Sequence, residues 1–392
     1  MEENKKNKIP NVPNLRFNFE GEYVESCIGD LIVQKGKRAK GQELKYKAYS
    51  INNQTGFSIQ EDQWGEASYT KLEKNGYKVI EKNDIAYNPA RINVGSVGLY
   101  KQQTPCIVSS LYVCFTTKPE LSPDYLFKYL KSDKFNKKVL STQEGGVRTY
   151  FFFDKLQKTK MFVPTISEQT KVNAFLDCIN EKIDTQNKII DKLESLRVQI
   201  KERIFDLGSL KKTISDVLTE SNKKSNIQDQ YPVLSSTVKG LFLQSDYFDR
   251  EVASSDNIGY KIVKKGQIII SPQNLWMGNI TYNDSFEHGI VSPSYKVFDI
   301  KEAYSKIYIY WLLTSKHSLF NYGLVSEQGA SIVRRNLNYD SFLNITLPLC
   351  NEEQQKHISK LIKSIEAKLK VEKQRAELFA KQKNYLLSNL FI

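Results

Sequence analysis

Two stretches of the chain place apolar residues at alternating steps of four and three. From Val172 the series runs through Leu176, Ile179, Ile183, Gln186, Ile190, Leu193, Arg197, Ile200 and Ile204. From Ile358 it runs through Ile362, Ile365, Leu369, Glu372, Ala376, Phe379, Lys383, Leu386 and Leu390. Each series is apolar apart from two members, and the polar members fall at equivalent places. Such a seam predicts a long helix that pairs with another helix. The segment 168–205 contains no Gly or Pro to interrupt it. A polar residue in a seam lowers stability but can fix register and partner number.

Elsewhere the pattern changes to short runs of β-branched and aromatic residues, broken by Gly, Asn and Pro. Runs such as YKVI (77–80), IAYN (85–88) and LYVCF (111–115) predict strands, as do IIIS (268–271) and YKVF (295–298). A helical stretch follows each group, at 122–140 and around 307–323. Next comes a loop with Gly and Arg, QEGGVRTY (143–150) or EQGASIVRRN (327–336). A short apolar run then ends at Pro164 or Pro348, before the long helix.

This plan occurs twice. NGYKVIEKNDIAYNPARINVGSV (75–97) aligns with IGYKIVKKGQIIISPQNLWMGNI (258–280) at an offset of 183, pairing Pro89 with Pro272 and Gly95 with Gly278. IVSSLYVCF (107–115) continues the match in IVSPSYKVF (290–298). GFSIQ (56–60) pairs with GLFLQ (240–244), IGD (28–30) with ISD (214–216), Pro164 with Pro348, and the Glu-Gln at 168–169 with that at 353–354. Ordered matches at a slowly drifting offset indicate a tandem duplication of about half the chain.

The expected fold is α+β. Two α/β domains form a tandem pseudo-repeat, at 1–164 and 208–348, separated by long helices at 165–207 and 349–392 that pair as an antiparallel coiled coil. The predicted seam includes Ile179, Ile183, Gln186, Ile190 and Leu193 on the first helix, and Ile365, Leu369, Glu372 and Phe379 on the second. A 38-residue helix spans about 57 Å by the helical rise. On a duplex that length covers about 10 to 17 base pairs, so the pair would act as a ruler.

The net charge of +13 favours a polyanionic partner. The first long helix (168–205) is balanced, with seven basic and seven acidic residues, while 352–392 carries nine and five. Most of the excess therefore lies on the globular parts. The polar opening MEENKKNKIP and the shortness of the longest apolar runs predict a cytoplasmic chain with no membrane partner. Cys27, Cys106, Cys114, Cys178 and Cys350 form no C-x-x-C pair and suit buried, reduced thiols. With three scattered histidines, no protein-held metal is expected.

The stretch DIAYNPARINVGSVG (84–98), the opening VPNLRF (12–17), the following IGD, the VP…EQ and LP…EQ entries into the long helices and the duplicated order together resemble the specificity subunit of a type I restriction-modification system. The resemblance spans nearly the whole chain. It implies that each globular part is a target-recognition domain reading one half of a bipartite site in double-stranded DNA. It implies helices that act as spacer and dock two modification subunits, which hold S-adenosylmethionine and methylate adenine N6. The resemblance also allows, without requiring it, a restriction (endonuclease/translocase) subunit that uses ATP and Mg2+ as a further partner. The chain itself is then expected to bind no cofactor and to catalyse nothing.

The Asn88-Pro89 pair resembles the Asn/Asp-Pro-Pro-Tyr/Phe loop of DNA amino-methyltransferases. That loop needs an aromatic fourth residue to stack on the flipped base; here the third and fourth are Ala90 and Arg91. Its counterpart, SPQNLW, lacks the Asn-Pro. No G-x-G-x-x-G or P-loop signature is present.

Reading base edges requires Arg or Lys for guanine and Asn or Gln for adenine, while Lys and Arg hold phosphates. The candidates in the first half are Lys35, Lys37, Arg38 and Lys40 in a basic loop, Arg91 and Asn93 beside Gly95, and Arg148. In the second half they are Gln273, Asn274, Asn279, Arg334 and Arg335. Trp276 and Met277 read as core. The alternative is a coiled-coil adaptor that binds proteins only, against which the off-helix positive charge counts. A self-contained methyltransferase or nuclease, and an RNA-binding protein, lack their motifs.

Overall fold

The computed structural model describes residues 12–17, 22–41, 45–61, 74, 76–142, 150–247, 256–328 and 334–392. By compactness the chain forms two units, Met1–Gln186 with Arg375–Ile392 (unit 1) and Asn187–Gln374 (unit 2). The division falls inside both long helices, Ile166–Leu207 and Glu352–Asn389, so each unit contains part of each.

In unit 1 an antiparallel sheet has the order Ile32–Gln34, Val113–Thr117, Ile85–Tyr87, Val97–Leu99. A second sheet orders Gly56–Ile59, Ala48–Asn52, Cys106–Val108 and Lys78–Ile80, with one parallel pairing between Ala48–Asn52 and Cys106–Val108. Val24–Cys27 pairs with Lys160–Val163, tying the start of the unit to the strand that feeds the long helix. The helical stretch predicted at 122–140 is two helices, Pro123–Leu130 and Asp133–Ser141. Ser122 caps the first and Ser132, between them, caps the second, each side-chain oxygen accepting from a backbone N–H of the helix it caps.

Unit 2 repeats the first sheet as Leu218–Ser221, Lys296–Ile300, Ile268–Ile270, Ile280–Tyr282. The register repeats as well. Ile85 faces Leu99 and Phe115, and Ile268, 183 residues on, faces Tyr282 and Phe298. Leu210–Thr213 pairs with Thr346–Leu349 as Val24–Cys27 pairs with Lys160–Val163. Here too the helical stretch is split, into Lys306–Leu313 and Lys316–Leu324, with Ser315 as the cap.

The strand register corrects one part of the sequence alignment. Val163 corresponds to Leu349, an offset of 186, so Pro164 matches Cys350 rather than Pro348. A pair of glutamines confirms this. Gln169 Nε2 donates to Pro164 O (2.9 Å) while its Oε1 accepts from Ser122 N (2.7 Å). Gln355 Nε2 donates to Cys350 O (2.8 Å) while its Oε1 accepts from Ser305 N (3.2 Å). Each buried side chain satisfies backbone groups at the helix start and at the neighbouring helix, which a buried amide must do to be tolerated.

The helix pairing is antiparallel within each unit. In unit 2, Glu194 meets Lys373 (2.6 Å) and Arg197 meets Glu366 (3.7 Å), one number rising as the other falls. In unit 1, Leu386, Leu390 and Phe391 share a core with Val172, Leu176 and Ile179. All nine predicted seam residues are buried or half-buried. The polar members are no exception, with Gln186 4% and Glu372 1% exposed.

Also in unit 1, Arg16 grips the buried Glu168 with two hydrogen bonds of 2.9 Å, and Tyr23 OH adds a third at 3.0 Å. In unit 2, Lys201 has its pKa pushed down to about 8, by burial first and by Arg197 second, against the opposing pull of Glu202 and Glu366. A lysine whose folded pKa lies below its unfolded value penalises the fold while it is protonated. Unit 2 should therefore gain stability as pH rises from about 8 towards 10.5. Lys201→Met is expected to stabilise it by about 1–3 kcal/mol at pH 7 and to flatten that rise. Urea unfolding across pH 7 to 10 checks both.

Candidate nucleic-acid interface

The turn that follows Ile85–Tyr87 in unit 1 and Ile268–Ile270 in unit 2 is one backbone structure made twice. In unit 1, Asn88 N donates to Ser96 O (3.0 Å), Arg91 N to Asn88 O (3.0 Å), Ser96 N to Arg91 O (3.1 Å) and Gly95 N to Ile92 O (2.9 Å). In unit 2 the same bonds run from Ser271 N to Asn279 O, Asn274 N to Ser271 O, Asn279 N to Asn274 O and Gly278 N to Leu275 O, at 3.0, 3.0, 3.2 and 2.8 Å. Both turns contain a 3-10 segment, Ile92–Val94 or Pro272–Met277, closed by a left-handed glycine. Gly95 has φ +85° and Gly278 φ +89°, a conformation that costs a side-chain-bearing residue about 1–2 kcal/mol.

On this common frame the side chains differ. Ala90, Arg91, Asn93 and Ser96 of unit 1 stand where unit 2 has Gln273, Asn274, Trp276 and Asn279. Arg91 and Gln273 are exposed; Asn93 and Asn274 are half-buried. Asn88 Oδ1 accepts from Ala90 N (3.0 Å), so in this turn its oxygen braces the backbone. Asn279 is buried, and its Oδ1 accepts from Ser236 Oγ (3.0 Å), which gives it a structural role. Among the described residues the enclosed Oδ1 of Asn274 has no hydrogen-bond partner.

A residue at the far end of the later loop in each half meets this turn. In unit 1, Phe151 N donates to Pro89 O (3.0 Å). In unit 2, the guanidinium of Arg335, at the start of Arg335–Leu337, lies 4.0 Å from the ring centre of Trp276. Trp276 is thus half-buried beneath an arginine and not a core residue as the sequence suggested. Its pairing with Arg335 had no sequence signal, because 59 residues separate them. Arg334 is exposed. Arg148 lies outside the described residues. Tyr150 and Phe152, which were not among the candidates, are exposed and stacked at 5.4 Å.

The basic loop is less uniform than its composition suggests. Lys35 is held by Glu81 (2.7 Å) and Asp84 (3.6 Å). The hydrogen bond to Glu81 raises the Lys35 pKa and lowers that of Glu81, while burial raises that of Asp84. Lys35 thus serves a local ion-pair network. Lys37, Arg38 and Lys40 are exposed. Their backbone runs beside Lys78–Ile80, with Ala39 N donating to Tyr77 O and Val79 N to Lys37 O.

Of the cysteines, Cys106, Cys114 and Cys350 are buried and Cys27 is partly so. Cys178 is exposed, against the expectation of buried thiols, on a groove it lines with Arg375 and Phe379 of the other long helix. Among the described residues no helix is long and apolar enough to cross a membrane, and no group of three His, Cys, Asp or Glu converges.

Residues 20–195 match the family described as type I restriction modification DNA specificity domain. The chain is 22% identical over 350 residues to the type I restriction enzyme MjaVIII specificity subunit of Methanocaldococcus jannaschii, covering 80% of this chain and 79% of that one. Its fold is similar to the HsdS subunit from Thermoanaerobacter tengcongensis (TM-score 0.51, 14% identity, covering 94% and 96% of the two chains). It is also similar to the type I restriction-modification S subunit from M. genitalium (TM-score 0.56, 15% identity, 97% and 99%). A third likeness, to a chain from a structural study of type I R-M complex assembly, has TM-score 0.59 at 13% identity, covering 95% and 98%.

Proposed function

Because the chain belongs to the specificity subunits of type I restriction-modification systems, which recognise DNA sequence within those complexes, we propose that each of its units reads one half of a divided DNA site. One observation carries this reading: the turn at 88–96 and the turn at 271–279 share a backbone and differ in side chains. A duplicated frame with changed contents suits two half-sites of different sequence. Arg91 and Asn93 would read one. Gln273 would read the other, with Arg335 held over the Trp276 ring beside it. Lys37, Arg38, Lys40 and Arg334 would supply phosphate contacts.

In this proposal the long helices fix the gap between half-sites and dock two modification subunits. Exposed apolar residues beside the seams, among them Phe175, Ile189, Leu196, Leu361 and Leu378, support such docking. The chain supplies recognition and no catalytic group. S-adenosylmethionine for adenine-N6 methylation, and ATP with Mg2+ for cleavage, would be held by partner subunits.

The test is a genome-wide map of N6-methyladenine in cells with and without this gene, the modification subunit being present in both. The expected result is a split motif of two short half-sites with a fixed gap, methylated only when the chain is made. An unchanged methylation pattern in an active system would refute the proposal. Substituting Arg91 and Asn93 should alter one half of the motif and leave the other intact.

A further inference from the structure

The internal duplication allows the two units to be compared residue by residue, and one comparison shows a charge imbalance. In unit 2, Arg197 is paired with Glu366 (3.7 Å), and both act on the nearby Tyr310. The equivalents in unit 1, at offsets of 186 and 183, are Lys383, Asn180 and Phe127. These three line one groove of about 360 Å3, together with Lys131, Gln54 and Thr55. Where unit 2 has a carboxylate to neutralise its cation, unit 1 has a carboxamide. The second cation is placed differently: unit 1 has Lys131 where unit 2 has Thr314, and unit 2 has Lys201 beside Arg197 and Glu366 where unit 1 has Leu387, so unit 1 has two cations and no counterpart of the Glu366 carboxylate.

Other charges in the groove do not correct this. Lys101 is paired with Asp124 (2.7 Å) and Lys128 with Asp177 (2.8 Å). The remaining carboxylate of the lining is Asp184, which is exposed. The Lys131 ammonium lies 5.1 Å from the centre of the Phe127 ring. Its pKa is lowered by burial first and by Lys383 second, with no carboxylate among the causes. Among the described residues neither ammonium forms an ion pair, and two such groups in one groove, beside neutral amide and hydroxyl groups, form a receptor for an anion.

We propose that the groove between Lys131 and Lys383 binds one phosphate group, and that unit 1 has this site while unit 2 has replaced it with an internal ion pair. The observations favour a phosphate of the DNA backbone. A Cβ placed on Gly95 of the 88–96 turn would lie 3.8 Å from Asn53 Cβ, and the next residues, Gln54 and Thr55, line the groove. The site is therefore continuous with the turn assigned to base reading. This assignment of the phosphate to DNA rests on the reading of unit 1 as a DNA-binding module.

The test uses the full chain assembled with its modification subunits. DNA affinity is measured against salt concentration for the wild type, the double variant Lys131→Gln/Lys383→Gln, Asn180→Glu and Arg197→Gln. One lost phosphate contact lowers the slope of log affinity against log salt by about 0.9. That drop is expected for the double variant and for Asn180→Glu, which gives unit 1 the carboxylate of unit 2. Arg197→Gln should leave the slope unchanged, and thermal melting checks that each variant is folded. A second arm compares inorganic phosphate with chloride at matched ionic strength. Stabilisation of the wild type and not of the double variant, with unchanged DNA slopes, would assign the site to free phosphate. If neither arm responds, the proposal is overturned. It is equally overturned if slopes hold while the double variant loses affinity for the modification subunit, since the groove would then take an acidic protein segment. A wild type without salt-dependent DNA binding would count against the proposed function, while the phosphate arm would still decide the site.

Discussion

Phe391→Ala is expected to cost unit 1 about 3–5 kcal/mol, the range for removing a fully buried aromatic side chain. Phe391 is 1% exposed and packs on the rings of Tyr125 and Tyr129 at 5.2 and 5.7 Å. Its carbonyl accepts from Lys134 Nζ at 2.5 Å. Two residues earlier, Asn389 O accepts from Leu15 N (3.0 Å), and the side chains of Asn14 and Asn389 bond at 3.0 Å. The last helical turn thus joins the opening segment and Pro123–Leu130 in one core. Shortening the chain after Gln374 should be more severe and prevent unit 1 from folding, because Leu386, Leu390 and Phe391 leave that core together. Hydrogen exchange would show loss of protection across unit 1, with the strands of unit 2 retaining theirs. Tyr385→Ala, which removes a side chain that is 59% exposed, should stay within about 0.5 kcal/mol.

This closure was only partly legible in the sequence. The seam through Leu386 and Leu390 is visible as a period, since a buried helix face must repeat near every seven residues. The duplication is visible because equivalent cores need similar side chains, and the repeated register of Ile85 and Ile268 follows from it. What a period cannot show is the partner. The pairing of Leu15 with Asn389 and of Arg16 with Glu168 joins residues distant in sequence, with no local pattern to mark them.

The candidate interface was legible to a similar degree. The turn at 88–96 stands out because Gly95 and its copy mark a required backbone conformation. Charge was a poorer guide. Lys35 resembles Lys37 in the sequence, yet among the described residues ion pairs occupy only the former, and those depend on Glu81 and Asp84 across the fold. Asn279 resembles a base-reading amide, but the hydroxyl of Ser236 already occupies its oxygen. Conversely, Trp276 reads as core because large aromatics usually are, and only tertiary structure places Arg335 over it.

Gly208→Ala should be the most damaging single methyl in unit 2. Gly208 directly follows the first long helix, where glycine commonly serves as a left-handed cap. Its φ is not in that range, however, and the requirement for glycine is one of space. A Cβ there would lie 2.2 Å from Pro348 O, 2.3 Å from Pro348 C and 2.8 Å from Leu349 N. All three are backbone atoms of the strand Thr346–Leu349, so no rotamer change can relieve the overlap. Ser209 N donates to Leu349 O (3.1 Å), and Leu210 and Lys211 face Leu349 and Pro348 in the ladder. Moving the strand away would open that ladder and shift Leu347 and Leu349, both within the unit 2 core. The cost should therefore exceed the ~1–3 kcal/mol typical of overpacking. Gly289→Ala provides the contrast, since its nearest clash, at 2.3 Å, is with the Leu234 side chain, which can rotate. Gly259→Ala meets nothing within 4 Å and should cost about 1–2 kcal/mol through its φ of +83° alone. Chemical denaturation of the three variants should rank Gly208 well above the others. A Gly208→Ala protein as stable as the wild type would show that the helix end and the strand are not held in this close contact.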